Sequence, residues 1–274
     1  MRTLDDKYEV LKRFIEEKGK DGAVIAFSGG VDSATLAAVS HNSLSDKAVA
    51  VTAESPTYTP EELTDAKKLA REIGIKLIIV ETNELSDENF SENPENRCYY
   101  CKKALLLRLR QVAEELGFKA VFEGTNFSDL TEHRPGFKAV KELEGVYSPW
   151  VEAEFTKQEI RAFAGRLGLS VQSKPPLACL ASRIPFHERI TAEKLKRINA
   201  AEQTVREIAG AQQVRVRDHN GLARIEIGKD ERALLCSVDA LDRIGDALKK
   251  MGFKYVAVDV EGYRTGSMMH TLDT

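Results

Sequence analysis

Short apolar runs alternate with amphipathic stretches through the first part of the chain. The runs have the length of buried strands, and the stretches between them repeat their apolar positions with helical spacing. This alternation predicts an α/β fold in which helices cover both faces of a parallel sheet. The predicted strands are Ala23–Phe27, Val49–Ala53, Lys76–Glu81 and Ala120–Glu123.

The predicted helices carry recognisable start signals. Thr59 and Glu62 form a capping box, with Pro60 at the first helical position. Thr156 and Glu159 form a second capping box. The helices predicted in this part of the chain are Met1–Lys20, Ala34–Ser40 opening on Ser33, Pro60–Ile73, Lys102–Leu116 and Lys157–Leu167.

The pattern changes near residue 185. The later elements are a helix at Thr191–Ala209, a hairpin of Gln213–Arg217 and Ala223–Ile227, a helix at Asp230–Met251 and a strand at Lys254–Val258. This αββαβ order does not continue the earlier alternation. We therefore predict a parallel-sheet domain over residues 1–184 and a smaller α+β domain over residues 185–274, which would serve substrate binding or oligomerisation.

Charge, apolar content and cysteine content limit the function classes that fit this chain. With 274 residues, 30% of them charged, and a net charge of −3, the chain has no strongly basic character that would indicate nucleic-acid binding. Apolar runs fall short of the roughly 20 residues that span a membrane, and the charged N-terminus is unlike a signal peptide, so we expect a cytoplasmic protein. Four cysteines in such a protein favour metal, cluster or sulfur chemistry over structural disulfides.

The stretch Ser28–Ser33, with the sequence SGGVDS, joins a predicted strand to a predicted helix. A glycine turn at this point collects backbone N–H groups and the positive end of a helix dipole, which together bind phosphate. Gly29 and Gly30 let the backbone approach an anion closely. Ser28 and Ser33 add hydroxyl donors, and Asp32 can hold a magnesium ion against phosphate oxygens.

This loop lacks the Lys-Ser/Thr ending of the Walker loop and the Gly-x-Gly-x-x-Gly of dinucleotide-binding proteins. It resembles the PP-loop of the ATP pyrophosphatases. The resemblance implies that the loop binds the β,γ-pyrophosphate of ATP, so that the α-phosphorus is attacked and AMP is transferred to a substrate oxygen. A structural strand-to-helix turn is the alternative. The loop residues implied at the ATP site are Phe27, Ser28, Gly29, Gly30, Asp32 and Ser33.

Further ATP-site candidates lie at other strand ends, where ligands of parallel sheets bind. Ala53 ends one predicted strand, and Gly124 begins a long polar loop after another. In that loop Asn126 and Asp129 can contact ribose, phosphate or magnesium, and Arg134 can pair with phosphate. The alternative is a solvated loop of ordinary turn residues.

Three of the four cysteines are candidates for a metal, redox or cluster site. Cys98 and Cys101 form a C-x-x-C pair at a predicted helix start, and Cys179 lies in the segment Lys174–Arg183, which is unsuited to long regular structure. They could form a zinc site, a dithiol redox pair or a four-iron four-sulfur cluster held by three thiolates, or carry no ligand. Cys236 is predicted to be a buried small apolar residue.

Arg215 and Arg217 alternate along a predicted strand, so both guanidinium groups point to one face. One interpretation is a solvated sheet face. The other is a clamp for the phosphate of a nucleotide-like substrate, which Arg183 would join and Glu202 would orient.

Several strings accompany the loop: CYYCKK at 98–103, RPGFKA at 134–139, CLASRIP at 179–185 and RVR at 215–217. With them the chain resembles, over nearly its whole length, the LarE-type ATP-dependent sulfur insertases, which help to build the nickel-pincer nucleotide cofactor of lactate racemase. The resemblance implies adenylation of a carboxylate on pyridinium-3,5-biscarboxylic acid mononucleotide. Sulfur then displaces AMP, and two rounds give the dithiocarboxylic product.

The resemblance also implies residue roles and partners. Catalysis would rest on Cys179 and on Asp32, which would hold Mg²⁺. In one branch of the family a single cysteine in the Cys179 loop gives up its sulfur and becomes dehydroalanine. Cys98 and Cys101 suit the other branch, in which they and Cys179 hold a four-iron four-sulfur cluster. The implied assembly is a homo-oligomer, trimer or hexamer, and the implied substrate-phosphate residues are Ser182, Arg183, Glu202, Arg215 and Arg217.

Three rival functions share some of these features. A tRNA thiolase has the same loop and a three-cysteine cluster, but four cysteines leave none for the zinc ribbons that such enzymes add. An amide-forming synthetase, such as an NAD or GMP synthetase, has the loop but does not need the three cysteines. A nucleotide-dependent scaffold protein would bind ATP without forming AMP or pyrophosphate.

Overall fold

The computed structural model describes residues 3–131, 135–174 and 178–264. It divides the chain into two compact units. The first consists of Met1–Asn83 and Asn96–Leu177, and the second of Glu84–Glu95 and Ala178–Thr274. The segment 84–95 therefore interrupts the first unit in sequence while belonging to the second.

The first unit contains a five-stranded sheet in which all neighbouring strands are parallel. The spatial order is β3-β2-β1-β4-β5, so β1 lies at the centre. This arrangement confirms the predicted α/β class and the four predicted strands. The strands are β1 (Ala23–Ala26), β2 (Ala48–Glu54), β3 (Lys76–Glu81), β4 (Ala120–Phe122) and β5 (Val146–Tyr147).

Helices of the first unit enclose apolar cores on both faces of this sheet. Alternate residues of β1 divide between them, because Ile25 packs in one core and Val24 in the other. That division explains why the strand is apolar at every position. The helices are α1 (Leu4–Lys18), α2 (Val31–Leu44), α3 (Pro60–Ile73), α5 (Arg97–Glu115), α6 (Gly136–Glu142), α7 (Pro149–Glu152) and α8 (Lys157–Arg166).

Both predicted capping boxes are present, at Thr59 and Thr156. Two predicted helix starts were wrong. Helix α2 begins at Val31 rather than Ala34, with Gly30 at its N-cap, and α5 begins at Arg97 rather than Lys102. Both cysteines of the C-x-x-C pair therefore lie within the helix.

The short elements that were not predicted include α6, α7 and β5 of the first unit. Strand β5 has two residues, which is too short to show the alternation of apolar and polar residues that indicates a strand. Helix α6 follows Pro135, and the Pro-Gly dipeptide there indicates a turn by its local chemistry. Contacts within the fold, rather than local sequence, therefore decide these elements.

The second unit has the predicted αββαβ order. Strands β6 (Val214–His219) and β7 (Leu222–Ile227) form the predicted antiparallel hairpin, and β8 (Tyr255–Val258) pairs in parallel with β7. Its helices are α9 (Ala192–Ala209) and α10 (Val238–Lys250), with the short α4 (Glu88–Ser91) from the inserted segment.

The single helix predicted at 230–251 was wrong. Residues Lys229–Leu235 form a 3₁₀ turn, and α10 starts anew after Ser237, whose hydroxyl accepts a hydrogen bond from the backbone N–H of Ala240. Ser237 is a residue type that favours a helix start, and this capping signal marks the break between the 3₁₀ turn and α10. The spacing of apolar residues continues across the break and did not reveal it.

Asn93 anchors the inserted segment within the second unit. Its buried amide group donates to the backbone carbonyls of Ile184, Pro185 and Glu188. In the described ranges, no helix combines the length and apolarity needed to cross a bilayer.

Helix α5 offers a matched test of this packing. Leu109 is fully buried in the core beneath the sheet, whereas Leu107, two residues away, is 44% exposed. Leu109→Ala should lower the free energy of unfolding by about 2–5 kcal/mol, because it leaves a cavity. Leu107→Ala should change it by no more than about 0.5 kcal/mol.

Denaturant unfolding followed by the fluorescence of Trp150, the single and fully buried tryptophan, measures both variants. Equal midpoints for the two variants would contradict the assignment of α5 faces.

Candidate functional site

The loop Ser28–Ser33 lies at the carboxyl end of the central strand β1. Strands β2 and β4 flank β1 on its two sides. The chain first adds β2 and β3 on one side of β1, and it then crosses to the other side to add β4 and β5. Such a switch point opens a crevice at the carboxyl ends of the strands, where ligands of open α/β sheets bind. Of the predicted ATP-site positions, Ala53 is the penultimate residue of β2, and Gly124 lies two residues after the end of β4.

Close packing requires glycine at two positions around the loop. Gly29 has φ of +70°, and a Cβ placed on it would lie 3.3 Å from Cα of Ala66 in α3. A Cβ on Gly124 would lie 3.3 Å from the backbone nitrogen of Ser33. The loop and the segment after β4 thus approach their neighbours more closely than residues with a Cβ usually do.

Hydroxyl groups fix the loop internally. The Ser33 hydroxyl accepts from the backbone N–H of Ser28 at 3.2 Å and donates to the carbonyl of Gly30 at 3.1 Å. The two serine hydroxyls lie 3.1 Å apart. Since Gly30 brings no side chain to the N-cap of α2, the positive end of the helix dipole faces the loop. This geometry suits a bound phosphate.

Asp32, in the first turn of α2, forms an ion pair with Lys157 at the start of α8. The amide of Asn126 lies 3.4 Å from the same carboxylate, and the indole N–H of Trp150 donates to the Asp32 carbonyl at 3.1 Å. Sequence reasoning did not assign Lys157 a role, because it stands among the residues of a capping box. The structure places it beside the predicted magnesium ligand.

Asn126 and Asp129 contact each other. The Asp129 carboxylate accepts from the Asn126 backbone N–H at 3.1 Å, and the Asn126 side-chain oxygen lies 3.3 Å from the Asp129 nitrogen. Both residues are buried. These bonds hold the loop after β4 against Asp32, and a direct contact to ATP stays a prediction for both. Arg134 lies outside the described residues.

Glu123, directly before Gly124, is a fully buried carboxylate that sequence reasoning missed. Lys102 donates to it at 2.7 Å, and Thr125 and Ser148 donate through their hydroxyl groups. Burial acts to raise the pKa of Glu123, but the charge and hydrogen bonds of Lys102, with those of Ser148 and Thr125, outweigh it and lower the pKa. Glu123 therefore stays ionised, and it fixes the helix that carries the C-x-x-C pair.

Cys98 and Cys101 lie one turn apart in α5, so their side chains share one face of the helix. Cys98 is exposed and Cys101 half-buried. Both lie in the first two turns of α5. Nearby, Tyr99 donates to Glu142 at 2.6 Å and accepts from Lys103, which pins the helix start to α6.

The third predicted ligand, Cys179, belongs to the second unit. Among the residues that the structure describes, no three His, Cys, Asp or Glu side chains are grouped to hold a metal ion. Thiolates are suitable donors for an iron–sulfur cluster. Because Cys98 and Cys101 lie in the first unit and Cys179 in the second, a cluster held by all three stays a prediction.

In the second unit, Arg183 ties the turn of Cys179 to α9. Its guanidinium forms a buried two-point ion pair with Glu202, at 2.8 and 3.3 Å. The remaining nitrogen donates to the carbonyls of Ala178 and Cys179 and to the Ser182 hydroxyl. Arg183 thereby positions Cys179 and Ser182.

The predicted pair Arg215 and Arg217 joins this cluster. Arg217 donates to the carbonyl of Ser182 at 2.8 Å and to the buried Glu226 at 2.7 Å. Arg215 lies 4.0 Å from Glu202, and burial together with the neighbouring Arg183 guanidinium lowers its pKa. With side chains 11% and 6% exposed, Arg215 and Arg217 do not form a solvated sheet face.

The arginines of this face outnumber the carboxylates. Register places Arg215, Arg217 and Arg224 on one side of the β6–β7 hairpin. Glu226 accepts from Arg224 as well as Arg217, and Glu202 accepts from Arg206 as well as Arg183. The structure thus brings all five predicted substrate-phosphate residues together in an arginine cluster with excess positive charge.

Cys236 was predicted to be buried, and this was wrong. It is exposed at the end of the 3₁₀ turn Lys229–Leu235. Of the apolar neighbours that suggested burial, Leu235 is buried but Leu234 is 43% exposed, so the apolar run does not lie in the core as a whole.

Comparison with known proteins supports a common family. The family model described as NAD synthase matches residues 3–115. An uncharacterized protein of Synechocystis sp. is 43% identical over 269 residues, which cover 98% of this chain and 99% of the relative. The glutamine-hydrolyzing GMP synthase of Thermus thermophilus is 27% identical over 210 residues, 71% of this chain and 42% of the relative.

A further relative is the pyridinium-3,5-bisthiocarboxylic acid mononucleotide synthase of Lactiplantibacillus plantarum. It is 35% identical over 273 residues, which cover 99% of this chain and 97% of the relative. Likeness at this level over nearly the whole of both proteins shows that this chain belongs to the family of that synthase, the LarE-type family whose motifs it resembles.

Proposed function

We propose that this protein is an ATP-dependent sulfur transferase that acts on pyridinium-3,5-biscarboxylic acid mononucleotide. It adenylates a substrate carboxylate and replaces an oxygen atom by sulfur, which leads to the thiocarboxylic precursor of the nickel-pincer cofactor. The observation that carries the proposal is the PP-loop at the switch point of the sheet, with its Asp32 paired to Lys157. Full-length similarity to the L. plantarum synthase supports the choice of substrate.

In the first step a substrate carboxylate oxygen attacks the α-phosphorus of ATP, and the bond to the β,γ-pyrophosphate breaks. The Ser28–Ser33 loop binds the leaving pyrophosphate through backbone N–H groups and serine hydroxyls. The Asp32 carboxylate suits Mg²⁺, which proteins commonly bind through one or two carboxylates together with substrate phosphates. Bound there, the ion would neutralise charge on the phosphates.

In the second step a sulfur nucleophile attacks the acyl carbon of the adenylate, and the bond to AMP breaks. AMP leaves with the electron pair, so that the carbonyl is restored with sulfur in place of oxygen. The arginine cluster of the second unit would hold the substrate phosphate, because guanidinium groups bind phosphate in a planar, two-point geometry. Arg183 would act by positioning the turn of Cys179, since its nitrogens already contact Glu202 and that turn.

An amide-forming synthetase is the second candidate, because the NAD synthase model matches residues 3–115. That match covers the loop but not Cys179 or the arginine cluster. Such an enzyme would form the same acyl adenylate and resolve it with ammonia. Mass spectrometry of the product made with ammonium or sulfide distinguishes the two reactions.

Asp32→Asn tests the adenylation step. The change keeps the size of the side chain but removes the charge that pairs with Lys157, so we expect AMP and pyrophosphate formation to fall about 100-fold or more. Asp46→Asn, at an exposed aspartate, is the matched control and should leave the rate unchanged. Release of ADP and phosphate by the parent enzyme would refute the proposed cleavage.

Arg217→Lys tests the substrate-phosphate assignment. Lysine keeps the charge beside buried Glu226 but loses the two-point geometry, so the substrate KM should rise about tenfold while the ATP KM stays constant. Arg243→Lys, in an exposed pair with Asp239, controls for the exchange itself. An equal rise in both KM values would show that Arg217 does not recognise the substrate.

The cysteines are the candidates for delivering sulfur to the adenylate. We propose that Cys98, Cys101 and Cys179 hold a four-iron four-sulfur cluster, as their number and the C-x-x-C spacing favour. Serine at any of the three should lower iron content and activity together in anaerobically purified protein. Cys236→Ser, at the exposed fourth cysteine, should change neither.

The alternative mechanism consumes Cys179 itself. Mass spectrometry would then find this residue converted to dehydroalanine, with loss of the elements of H₂S. Sulfur transfer by an iron-free Cys98→Ser/Cys101→Ser variant, with that conversion, would overturn the cluster proposal.

A further inference from the structure

Lys174 lies beside the PP-loop, although it is 145 residues away from it in sequence. Its ammonium group is 3.0 Å from the carboxylate of Asp65 in α3 and 3.5 Å from the carbonyl of Gly29. The Lys174 side chain is 23% exposed and that of Asp65 is 46% exposed. A cation is therefore present at the Gly29 side of the loop, and solvent reaches it.

The backbone around Lys174 is fixed from two directions. Arg161 of α8 donates to the carbonyl of Gln172 at 2.6 Å and to that of Lys174 at 3.0 Å. The carboxylate of Glu72 in α3 accepts from both the backbone N–H and the hydroxyl of Ser170. The position of Lys174 therefore follows from the packing of α3 and α8.

Helix α3 brings the loop and the lysine together. Gly29 packs closely on Ala66 with a φ that favours glycine, and Ala66 is the neighbour of Asp65. A phosphate bound at Gly29 would thus lie next to the Asp65–Lys174 pair.

We propose that Lys174 is a further ATP ligand, which binds the β,γ-pyrophosphate on the Gly29 side of the loop. The SGGVDS loop has no lysine of its own, whereas the Walker loop ends in one, so positive charge for the pyrophosphate has to come from elsewhere in the fold. Lys157 is paired with Asp32 at the start of α2. Lys174 supplies a second ammonium group at the opposite end of the loop.

Exchange of partners is physically reasonable for this lysine. A half-exposed ion pair is weak, and the lysine side chain is flexible enough to move from Asp65 to a phosphate oxygen. The pyrophosphate moiety carries several negative charges and attracts an ammonium group more strongly than one carboxylate does. Asp65 is then the partner of Lys174 only while no phosphate is bound, and is not itself a nucleotide ligand.

This inference rests on the proposed function, since it needs ATP at the PP-loop. Lys174→Met should weaken the binding of ATP and of inorganic pyrophosphate by about tenfold to 100-fold, and leave AMP binding unchanged. Lys174→Arg should retain most of the affinity. Lys67→Met, at an exposed lysine of α3, is the matched control and should bind all three ligands like the parent.

The variant Asp65→Asn distinguishes two roles of Lys174, as a phosphate ligand or as a structural partner of Asp65 only. It should bind ATP as tightly as the parent or more tightly, because it frees Lys174 for the phosphate. If Asp65→Asn weakens ATP binding as much as Lys174→Met does, or if Lys174→Met weakens AMP and ATP equally, the inference is wrong.

Isothermal titration with ATP, pyrophosphate and AMP, together with assays of pyrophosphate release, measures these effects. A parent enzyme that neither binds ATP nor releases pyrophosphate would refute the proposed function itself. A parent that does both, beside a Lys174→Met variant with unchanged affinities, would refute only the role of Lys174.

Discussion

The close approach of backbone segments around the PP-loop is the constraint on which the rest of the first unit depends. Gly29 packs on Ala66 of α3, and Gly124 packs on the first turn of α2. A side chain at Gly29 would be strained by its positive φ, and one at Gly124 would require its neighbours at the end of β1 to shift. Because these contacts hold the loop between α3 and the segment after β4, the side chains that surround it can come from distant parts of the sequence.

Buried carboxylates organise the basic residues of both units. Glu123 fixes Lys102 next to the C-x-x-C pair, Glu202 joins Arg183 to the Cys179 turn, and Glu226 holds Arg217. A buried carboxylate is costly unless it is paired, so each of them fixes the geometry of its partners. Lys102, Arg183 and Arg217 are consequently placed with little freedom, and the fixed guanidinium groups among them favour planar or multiply charged anions.

Sequence alone predicted the elements that have local signals. The strands around the loop, the capping boxes at Thr59 and Thr156 and the hairpin of the second unit all follow from period and end chemistry. The contacts of Asp32 with Lys157 and of Asp65 with Lys174 could not be predicted, because they join residues 125 and 109 positions apart. Such pairs result from the order of strands in the sheet, which a local pattern does not contain.

The two lysines near the loop suggest how it distinguishes its ligands. Each ammonium group already has a carboxylate partner, Asp32 for Lys157 and Asp65 for Lys174. The free energy gained on binding an anion is therefore a difference between two ion pairs, rather than the full attraction of a free charge. In the proposed complex, a phosphate that reaches only one end of the loop would exchange with one ion pair, whereas the pyrophosphate of ATP would reach both ends and gain at each. Paired cations would thus favour the triphosphate over AMP, and they would do so without leaving an isolated positive charge beside the sheet.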